Sequence, residues 1–183
     1  MFSFLKKSRV SPKPLPDLPA DAAASDSPRM RKVLNVGGNS KEIQIPEAFG
    51  GWQHVMLDID PAVRPDVVCD ARNLATLKGS EYDAVYCSHN LEHYFHHDVS
   101  RVLAGFLHVL KDDGFAYIRV PDMAELMRTV VRDGRDIEDV LYQSPAGPIA
   151  VIDVIYGLRT EIASSGNDFF AHKTGFTRKS LAA

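Results

Sequence analysis

The chain has 183 residues, of which 45% are hydrophobic and 25% are charged, and this ordinary globular composition excludes a fibrous protein and a chain that is disordered throughout. Its net charge of -3 is unevenly spread: seven Lys or Arg against three Asp give residues 1–32 a charge of +4, and fourteen against twenty-one give residues 33–183 a charge of -7. This acidic part argues against nucleic acid as the main partner. No run of about 18 apolar residues occurs, so no membrane span is expected.

The sequence contains two cysteines, Cys69 and Cys87. A small secreted protein held together by disulfides would contain more cysteines at closer spacings. A reducing compartment, the cytoplasm, is therefore expected. Neither a CxxC pair nor a Cys/His cluster occurs, so no structural zinc site is predicted.

The first segment of the chain differs in composition from the rest. Residues 1–31 contain five prolines and a run of three alanines, and so have few side chains that could be buried. Such a segment is predicted to be a disordered Pro/Ala-rich leader. The folded domain is predicted to span residues 32–183.

Short apolar runs alternate with helical patterns along this domain. Five segments rich in β-branched and aromatic residues are predicted to be buried parallel strands: 32–36, 54–58, 66–69, 82–87 and 115–120. Apolar residues at helical spacing predict a helix over 99–110, with Gly114 marking its end. Strands that alternate with helices predict an α/β fold with a parallel sheet.

Two further elements are indicated by single residues. Asp122 and Glu125 form a capping-box pattern that predicts a second helix after the fifth strand. Its apolar face is predicted to consist of Leu126, Met127, Val130 and Val131. The connection between the first two strands is short and contains Pro46, so any helix in it can have only one or two turns.

Polar or small residues follow four of the predicted strands. They are Asn35, Gly37, Gly38, Asp58, Asp70, Ser88 and His89. Ligands of parallel sheets bind at the carboxyl ends of the strands, so a functional site is predicted there. The alternative is that the glycines only form a turn and that the aspartates only cap turns. The full GxGxxG pattern is absent, which disfavours a nicotinamide site.

The segment His89-Asn90-Leu91-Glu92-His93 matches HxxEH, the inverted zinc-protease pattern. Two imidazoles and a carboxylate on one helical face could hold a zinc-bound water. Here the segment directly follows a predicted buried strand, and the pattern belongs to much longer chains, so no metal site is predicted. His96 and His97 are interpreted as a solvated helix start.

Several segments in order resemble class I S-adenosylmethionine-dependent methyltransferases of the small type-11-like kind. They are VLNVGG at 33–38, LDIDP at 57–61, VCDARNL at 68–74, YDAVYCSHNLEH at 82–93, and the helix and strand between 101 and 122. The resemblance runs from about residue 32 to the end. It implies a Rossmann-like doubly wound parallel sheet with strand order 3-2-1-4-5.

The resemblance also implies a cofactor site for S-adenosylmethionine. Its members would be Asn35, Gly37, Gly38, Asp58, Ile59, Asp70, Ala71 and Ser88. In this site Asp58 would hold the ribose diol and Ile59 would pack on the adenine, whose amine would face Asp70. A hydroxyl or amine acceptor needs a general base, and His89 is the first candidate and His93 the second.

The chain departs from the family pattern in two places. Asn35 stands where an acidic residue is usual, and Asn39 and Ser40 stand where a glycine is expected. The strand pair that closes the sheet in this family is predicted to be missing or atypical. Residues 175–183 resemble the helix that precedes this pair in the family, which suggests a short or truncated chain. The strand at 115–120 is then expected at the sheet edge, where it would drive self-association or be covered by residues 149–158.

The predicted function is methyl transfer from S-adenosylmethionine to an unidentified small-molecule or macromolecular acceptor. The alternatives are a non-catalytic cofactor-binding or interaction module with this fold, and a zinc hydrolase that uses HxxEH. In the strand order 3-2-1-4-5 two strands separate the third from the fourth, so Cys69 and Cys87 should not form a disulfide.

Overall fold

The computed structural model describes residues 29–145 and 147–182. The predicted disordered leader, residues 1–31, lies outside the described residues except for its last three positions. The strands of the main sheet are β1 Lys32–Val36, β2 Gln53–Asp58, β3 Val67–Val68, β4 Tyr82–Ser88 and β5 Leu110–Arg119. The other elements are α1 His96–Val109, α2 Met123–Asp133, β6 Val140–Ser144, β7 Gly147–Ala150, α3 Val151–Tyr156, α4 Arg159–Ser165 and α5 Arg178–Leu181.

The main sheet has the order β3-β2-β1-β4-β5, and its strands pair in parallel, as predicted. Val36 at the end of β1 lies opposite Leu57 and Cys87, so the carboxyl ends of β1, β2 and β4 meet at one edge. Two strands separate Cys69 from Cys87, and both are free thiols, as predicted.

The sheet is covered on both faces by apolar side chains. On one face, side chains of α1 such as Val102 and Phe106 pack on Leu34 and Val85, and all four are at most 1% exposed. Full burial of such a side chain contributes about 1.5–3 kcal/mol. On the other face, Phe49 packs on Tyr86 at a centroid distance of 5.8 Å. Phe49 belongs to a single 3-10 turn, Glu47–Phe49, which agrees with the short helix predicted beside Pro46.

The predicted end of the first helix at Gly114 is wrong. The helix ends at Val109, and β5 begins directly at Leu110. The amides of Ser80 and Glu81, just before β4, donate to the carbonyls of His108 and Val109 at 2.9 Å. The last carbonyls of the helix thus find hydrogen-bond donors outside the helix. Gly114 instead lies within β5, where a Cβ would stand 3.2 Å from the carbonyl oxygen of Asp83.

Asp122 caps the second helix as predicted, but the Glu125 side chain accepts from Arg128 instead of completing a capping box, and the predicted apolar face is half wrong. Asp122 Oδ1 accepts hydrogen bonds from the amides of Ala124 and Glu125. Leu126 is buried, whereas Met127 is 62% exposed and Val131 is 82% exposed. The buried partner of Leu126 is Thr129, one turn along the same face, so the helix packs through a narrower stripe than its apolar residues suggest.

The C-terminal part is atypical, as predicted. β6 and β7 form a separate antiparallel hairpin, and within the described residues β5 remains the edge strand of the main sheet. Ile149 and Leu158 line a cavity together with Val120, directly after β5, so the segment predicted to cover this strand lies beside its carboxyl end. Self-association stays a prediction. None of the described helices combines the length and apolarity that a membrane crossing requires.

Candidate active site

The loop after β1 is shaped by two glycines that the packing requires. Gly37 has φ +70°, and a Cβ there would stand 2.1 Å from the Asn90 side chain. A Cβ on Gly38 would stand 2.6 Å from Nδ2 of Asn35. Close approach between parts of the chain therefore requires a glycine at both positions.

Asp58 ends β2 and holds this loop through its carboxylate. Its Oδ2 accepts a hydrogen bond from the amide of Asn39 at 3.0 Å, and its Oδ1 accepts one from the amide of Asp60 at 3.0 Å. Asn39 has φ +54°, which turns its amide toward Asp58. The carboxylate is half-buried and keeps two further acceptor sites.

Asp70 is committed to an ion pair. It caps the 3-10 turn Ala71–Thr76 by accepting from the amide of Arg72, and it also accepts from Nε and Nη2 of the same arginine. Burial alone would raise the pKa of Asp70, but the bonds from Arg72 outweigh it and hold the pKa below its usual value. This carboxylate has little capacity left for a ligand amine.

A cavity of about 230 Å³ lies at the strand ends, and we call it the strand-end cleft. Ile59 and Asp70, both predicted cofactor residues, line it. Sequence reasoning missed its other lining residues: Arg72, Asn90, Tyr94, Phe95, Asp98, Asp168, Phe169 and Lys173. Among the predicted cofactor residues, Asn35 and Ala71 are buried, and six do not line this cleft: Asn35, Gly37, Gly38, Asp58, Ala71 and Ser88. Tyr94 and Phe95 follow the HxxEH segment directly, a proximity that could have indicated them.

The HxxEH segment does not begin the following helix. Leu91–His93 form a 3-10 turn, and α1 starts at His96, where His96 and His97 are exposed, as predicted. His89 has φ +51° and its side chain is 39% exposed. By contrast, the carboxylate of Glu92 is 1% exposed and lies 3.3 Å from Nδ1 of His89.

Two histidines from distant parts of the chain meet beside Glu92. The rings of His93 and His172 pack edge-to-face with centroids 4.9 Å apart. Nδ1 of His93 lies 3.1 Å from the carbonyl oxygen of Ala171, and Nε2 lies 3.1 Å from that of His89. Nδ1 of His172 lies 3.0 Å from the carbonyl oxygen of Val154. Burial lowers the pKa of His172, mainly by desolvation of its charged form.

Backbone contacts bring His172 to this place. The amides of Lys173 and Thr174 donate to the carbonyl of Glu92 at 2.8 and 3.1 Å. Gly157 and Ala171 form an isolated antiparallel β-bridge. A Cβ at Gly157 would stand 1.9 Å from the carbonyl oxygen of Phe170. With φ +98°, this position requires a glycine.

A second cavity of about 320 Å³, here called the apolar chamber, also has His93 in its lining. Its walls are mainly apolar and come from the end of β5, from α2 and from residues 141–170. Its lining residues are His89, His93, Val120, Pro121, Asp122, Leu126, Leu141, Tyr142, Ile149, Asp153, Val154, Leu158, Phe170 and His172. His93 lines both cavities.

A family model described as a methyltransferase domain matches residues 30–118. No curated protein is a significant match to the chain. Among solved structures, an S-adenosylmethionine-dependent methyltransferase from Archaeoglobus fulgidus matches with 20% identity and a TM-score of 0.47, over 64% of this chain and 55% of its own. A protein from Pyrococcus horikoshii OT3 matches with 20% identity and a TM-score of 0.45, over 66% of each chain.

A protein from Rhodobacter sphaeroides described as a Zn-dependent alcohol dehydrogenase matches with 13% identity and a TM-score of 0.47, over 84% of this chain and 70% of its own. The aligned region thus spans 55% and 66% of the first two structures. With TM-scores below 0.5, none of these likenesses carries an inference about activity.

Proposed function

We propose that the chain, whose residues 30–118 match a methyltransferase-domain model, transfers a methyl group from S-adenosylmethionine to an acceptor in the apolar chamber. The observation that carries the proposal is that His93 lines both cavities. A cofactor in the strand-end cleft and an acceptor in the apolar chamber would meet beside this residue. Methyl transfer requires such a meeting, because the reacting atoms must approach to about 3–3.5 Å.

The residues at the strand ends fit S-adenosylmethionine. The two free acceptor sites of Asp58 suit the two hydroxyls of a ribose, as in other nucleotide-binding sheets. Ile59 is 38% exposed on the cleft wall and offers an apolar surface to an adenine ring. We assign no amine contact to Asp70, because Arg72 occupies its carboxylate. Asn35, Gly37, Gly38, Ala71 and Ser88 would shape the surrounding backbone.

When bound, the cofactor supplies a sulfonium methyl group, whose carbon gains a bond to the acceptor atom while the carbon–sulfur electron pair stays on sulfur. The chain must orient the acceptor and remove its proton. We propose His89 for this step, because its side chain is partly exposed and lines the apolar chamber. His93, the second sequence candidate, has carbonyl oxygens at both ring nitrogens and is better suited to fix the boundary between the cavities.

The chamber restricts the acceptor. Its volume of about 320 Å³ suits a small molecule, and side chains such as Leu126, Ile149 and Val154 would leave polar parts of a ligand without partners. We therefore propose a small, mainly apolar acceptor with one nucleophilic oxygen or nitrogen near His89. The reduced state of Cys69 and Cys87 suits the cytoplasm as the place of this reaction.

The proposal is tested by incubating the full chain with S-adenosylmethionine that carries a labelled methyl group and a panel of small apolar alcohols, phenols and amines. Label should appear in at least one acceptor, and His89→Ala should lower the rate by about 100-fold or more, as expected for loss of a general base. His96→Ala, on the exposed start of α1, should leave the rate unchanged. Cofactor binding without transfer to any acceptor would instead support the non-catalytic module.

A further inference from the structure

We propose that Glu92, His93 and His172 bind a divalent zinc ion at the boundary of the apolar chamber, as a site separate from the cofactor. The ion would face the acceptor and bind its oxygen or nitrogen. This last role rests on the proposed function, whereas the site itself does not. No metal was predicted from the HxxEH segment, and the sequence alone could not place His172 beside Glu92 and His93.

The buried carboxylate of Glu92 is the first reason. Its side chain is 1% exposed, and neither carboxylate oxygen accepts a hydrogen bond from any residue between 29 and 182 that the structure describes. Nδ1 of His89 is 3.3 Å from Oε1, but the two atoms lack hydrogen-bond alignment. A buried carboxylate without partners is strongly unfavourable, and a bound cation would compensate it.

The orientation of the two histidines is the second reason. With Nδ1 of His172 donating to the carbonyl of Val154, its Nε2 keeps a lone pair. With Nδ1 of His93 donating to the carbonyl of Ala171, its Nε2 can bind the ion only by giving up its contact with the carbonyl oxygen of His89. Donation of the second ring nitrogen to a backbone carbonyl is the usual arrangement for a histidine that binds a metal.

Zinc competes with one contact of the metal-free chain. Nε2 of His93 lies 3.1 Å from the carbonyl oxygen of His89, at hydrogen-bond distance. Zinc on Nε2 would take the place of an N–H that points at this oxygen, so the ring must turn away from the carbonyl when the ion binds. Failure of zinc to displace this contact would overturn the proposal.

The donor set and its position fit zinc. One ligand atom from each of Glu92, His93 and His172 lies within 4.8 Å of the other two, and these residues are the only such group of three among those the structure describes. Two imidazoles and one carboxylate are a known ligand set of catalytic zinc, and imidazole selects against magnesium and calcium. Because His93 and His172 line the apolar chamber, an ion can enter from it, and its open positions would face the chamber.

The site is tested by zinc titration of the untagged full chain, stripped with a chelator, in the absence of S-adenosylmethionine. Calorimetry should find one saturable site per chain. Since loss of an outer partner of a metal ligand already costs 10- to 100-fold in affinity, Glu92→Gln and His172→Ala should each weaken binding by about 100-fold or more. The double variant His96→Ala, His97→Ala removes two exposed histidines nearby and should bind zinc like the unmodified chain.

Thermal unfolding separates loss of the site from loss of the fold. Zinc should raise the Tm of the unmodified chain and of the double variant, but not that of Glu92→Gln. Without zinc, Glu92→Gln should unfold at the same or a higher temperature, because it removes an uncompensated buried charge. Absence of saturable zinc binding, or equal affinity in Glu92→Gln, would overturn the site. Cofactor binding by the stripped chain in either case would leave the proposed methyl transfer standing.

Discussion

At the scale of single residues, Asp58 combines a structural and a proposed binding role. Its two oxygens anchor the amides of Asn39 and Asp60, and its remaining acceptor sites suit a ribose diol. Charge-assisted hydrogen bonds of this kind contribute roughly 1.5–3 kcal/mol. Asp58→Ala should therefore weaken binding of S-adenosylmethionine by about 10- to 150-fold, measured by calorimetric titration.

Two neighbouring aspartates serve as controls for Asp58. Asp60 is engaged in capping its own turn through the amide of Ala62, and Asp60→Ala should weaken cofactor binding by less than about fivefold, which corresponds to roughly 1 kcal/mol. Asp70→Ala should fall between the two, because it frees Arg72 at the wall of the strand-end cleft. Unchanged affinity in Asp58→Ala would refute the ribose role.

Gly157 is the residue on which the position of His172 depends. Gly157→Ala would place a Cβ 1.9 Å from the carbonyl oxygen of Phe170 at φ +98°, so the backbone contact that carries Ala171 and His172 must open. Strain and overpacking each cost about 1–3 kcal/mol. The free energy of unfolding in urea should fall by about 2–4 kcal/mol.

Gly134 gives the matched comparison for Gly157. It also has a positive φ, +59°, but a Cβ there would have no neighbour within 4 Å in the described structure. Gly134→Ala should thus cost only the left-handed backbone penalty of about 1–2 kcal/mol. Equal losses in the two variants would mean that Phe170 does not pack on Gly157.

At the scale of elements, Asp83 ties three strands together where they begin. Its Oδ2 accepts from the amide of Lys32 in β1 at 2.7 Å, and its Oδ1 lies 2.6 Å from Nζ of Lys111 in β5. Asp83→Asn removes the charge that compensates the largely buried Lys111, and it should lower the free energy of unfolding by about 1–3 kcal/mol. Asp112→Asn, exposed and next to Lys111, should cost less than about 0.5 kcal/mol in the same urea experiment. An equal effect of both would show that the ion pair contributes nothing.

The elements also show which parts of the fold can be predicted from sequence. The five parallel strands are marked by local runs of β-branched and aromatic residues, and their polar ends indicate the site edge without any tertiary information. The end of α1 could not be found in this way, because the amides of Ser80 and Glu81 cap it from elsewhere in the chain. Met127 and Val131 are exposed because α2 packs on the rest of the chain through only a narrow stripe. The spacing of apolar residues alone does not reveal the width of that stripe.

At the scale of the whole molecule, three acidic groups should make the fold sensitive to acid. Burial alone would raise the pKa of Asp70, Asp83 and Asp153, but bonds or ion pairs with Arg72, Lys111 and Arg159 and bonds from backbone amides hold all three below 3.8. A carboxyl whose pKa is lower in the folded state stabilises the fold above its unfolded pKa, and this stabilisation is lost as the pH falls through the folded pKa.

These three groups should therefore leave the urea midpoint of unfolding nearly constant between about pH 7 and pH 5. Below about pH 4 the midpoint should fall progressively. Chemical unfolding followed by circular dichroism at each pH measures this. A midpoint at pH 3 equal to that at pH 7 would contradict the stabilising role of these ion pairs.

The site as a whole was only partly predictable. Asp58, Ile59 and His89 could be proposed from strand ends and family resemblance, because both signals are local in sequence. Lys173 and His172 could not, since the chain brings them to Glu92 only through the backbone contacts of residues 157–174. The apolar chamber is likewise formed mainly by residues beyond position 118, outside the matched family segment.

Binding of S-adenosylmethionine at the strand ends is tested most directly by calorimetric titration of the full chain with this compound. We expect saturable binding of one molecule per chain, competition by the demethylated product, and a clearly larger loss of affinity in Asp58→Ala than in Asp60→Ala. No detectable binding of either compound up to about 1 mM, which corresponds to about -4.1 kcal/mol, would contradict it.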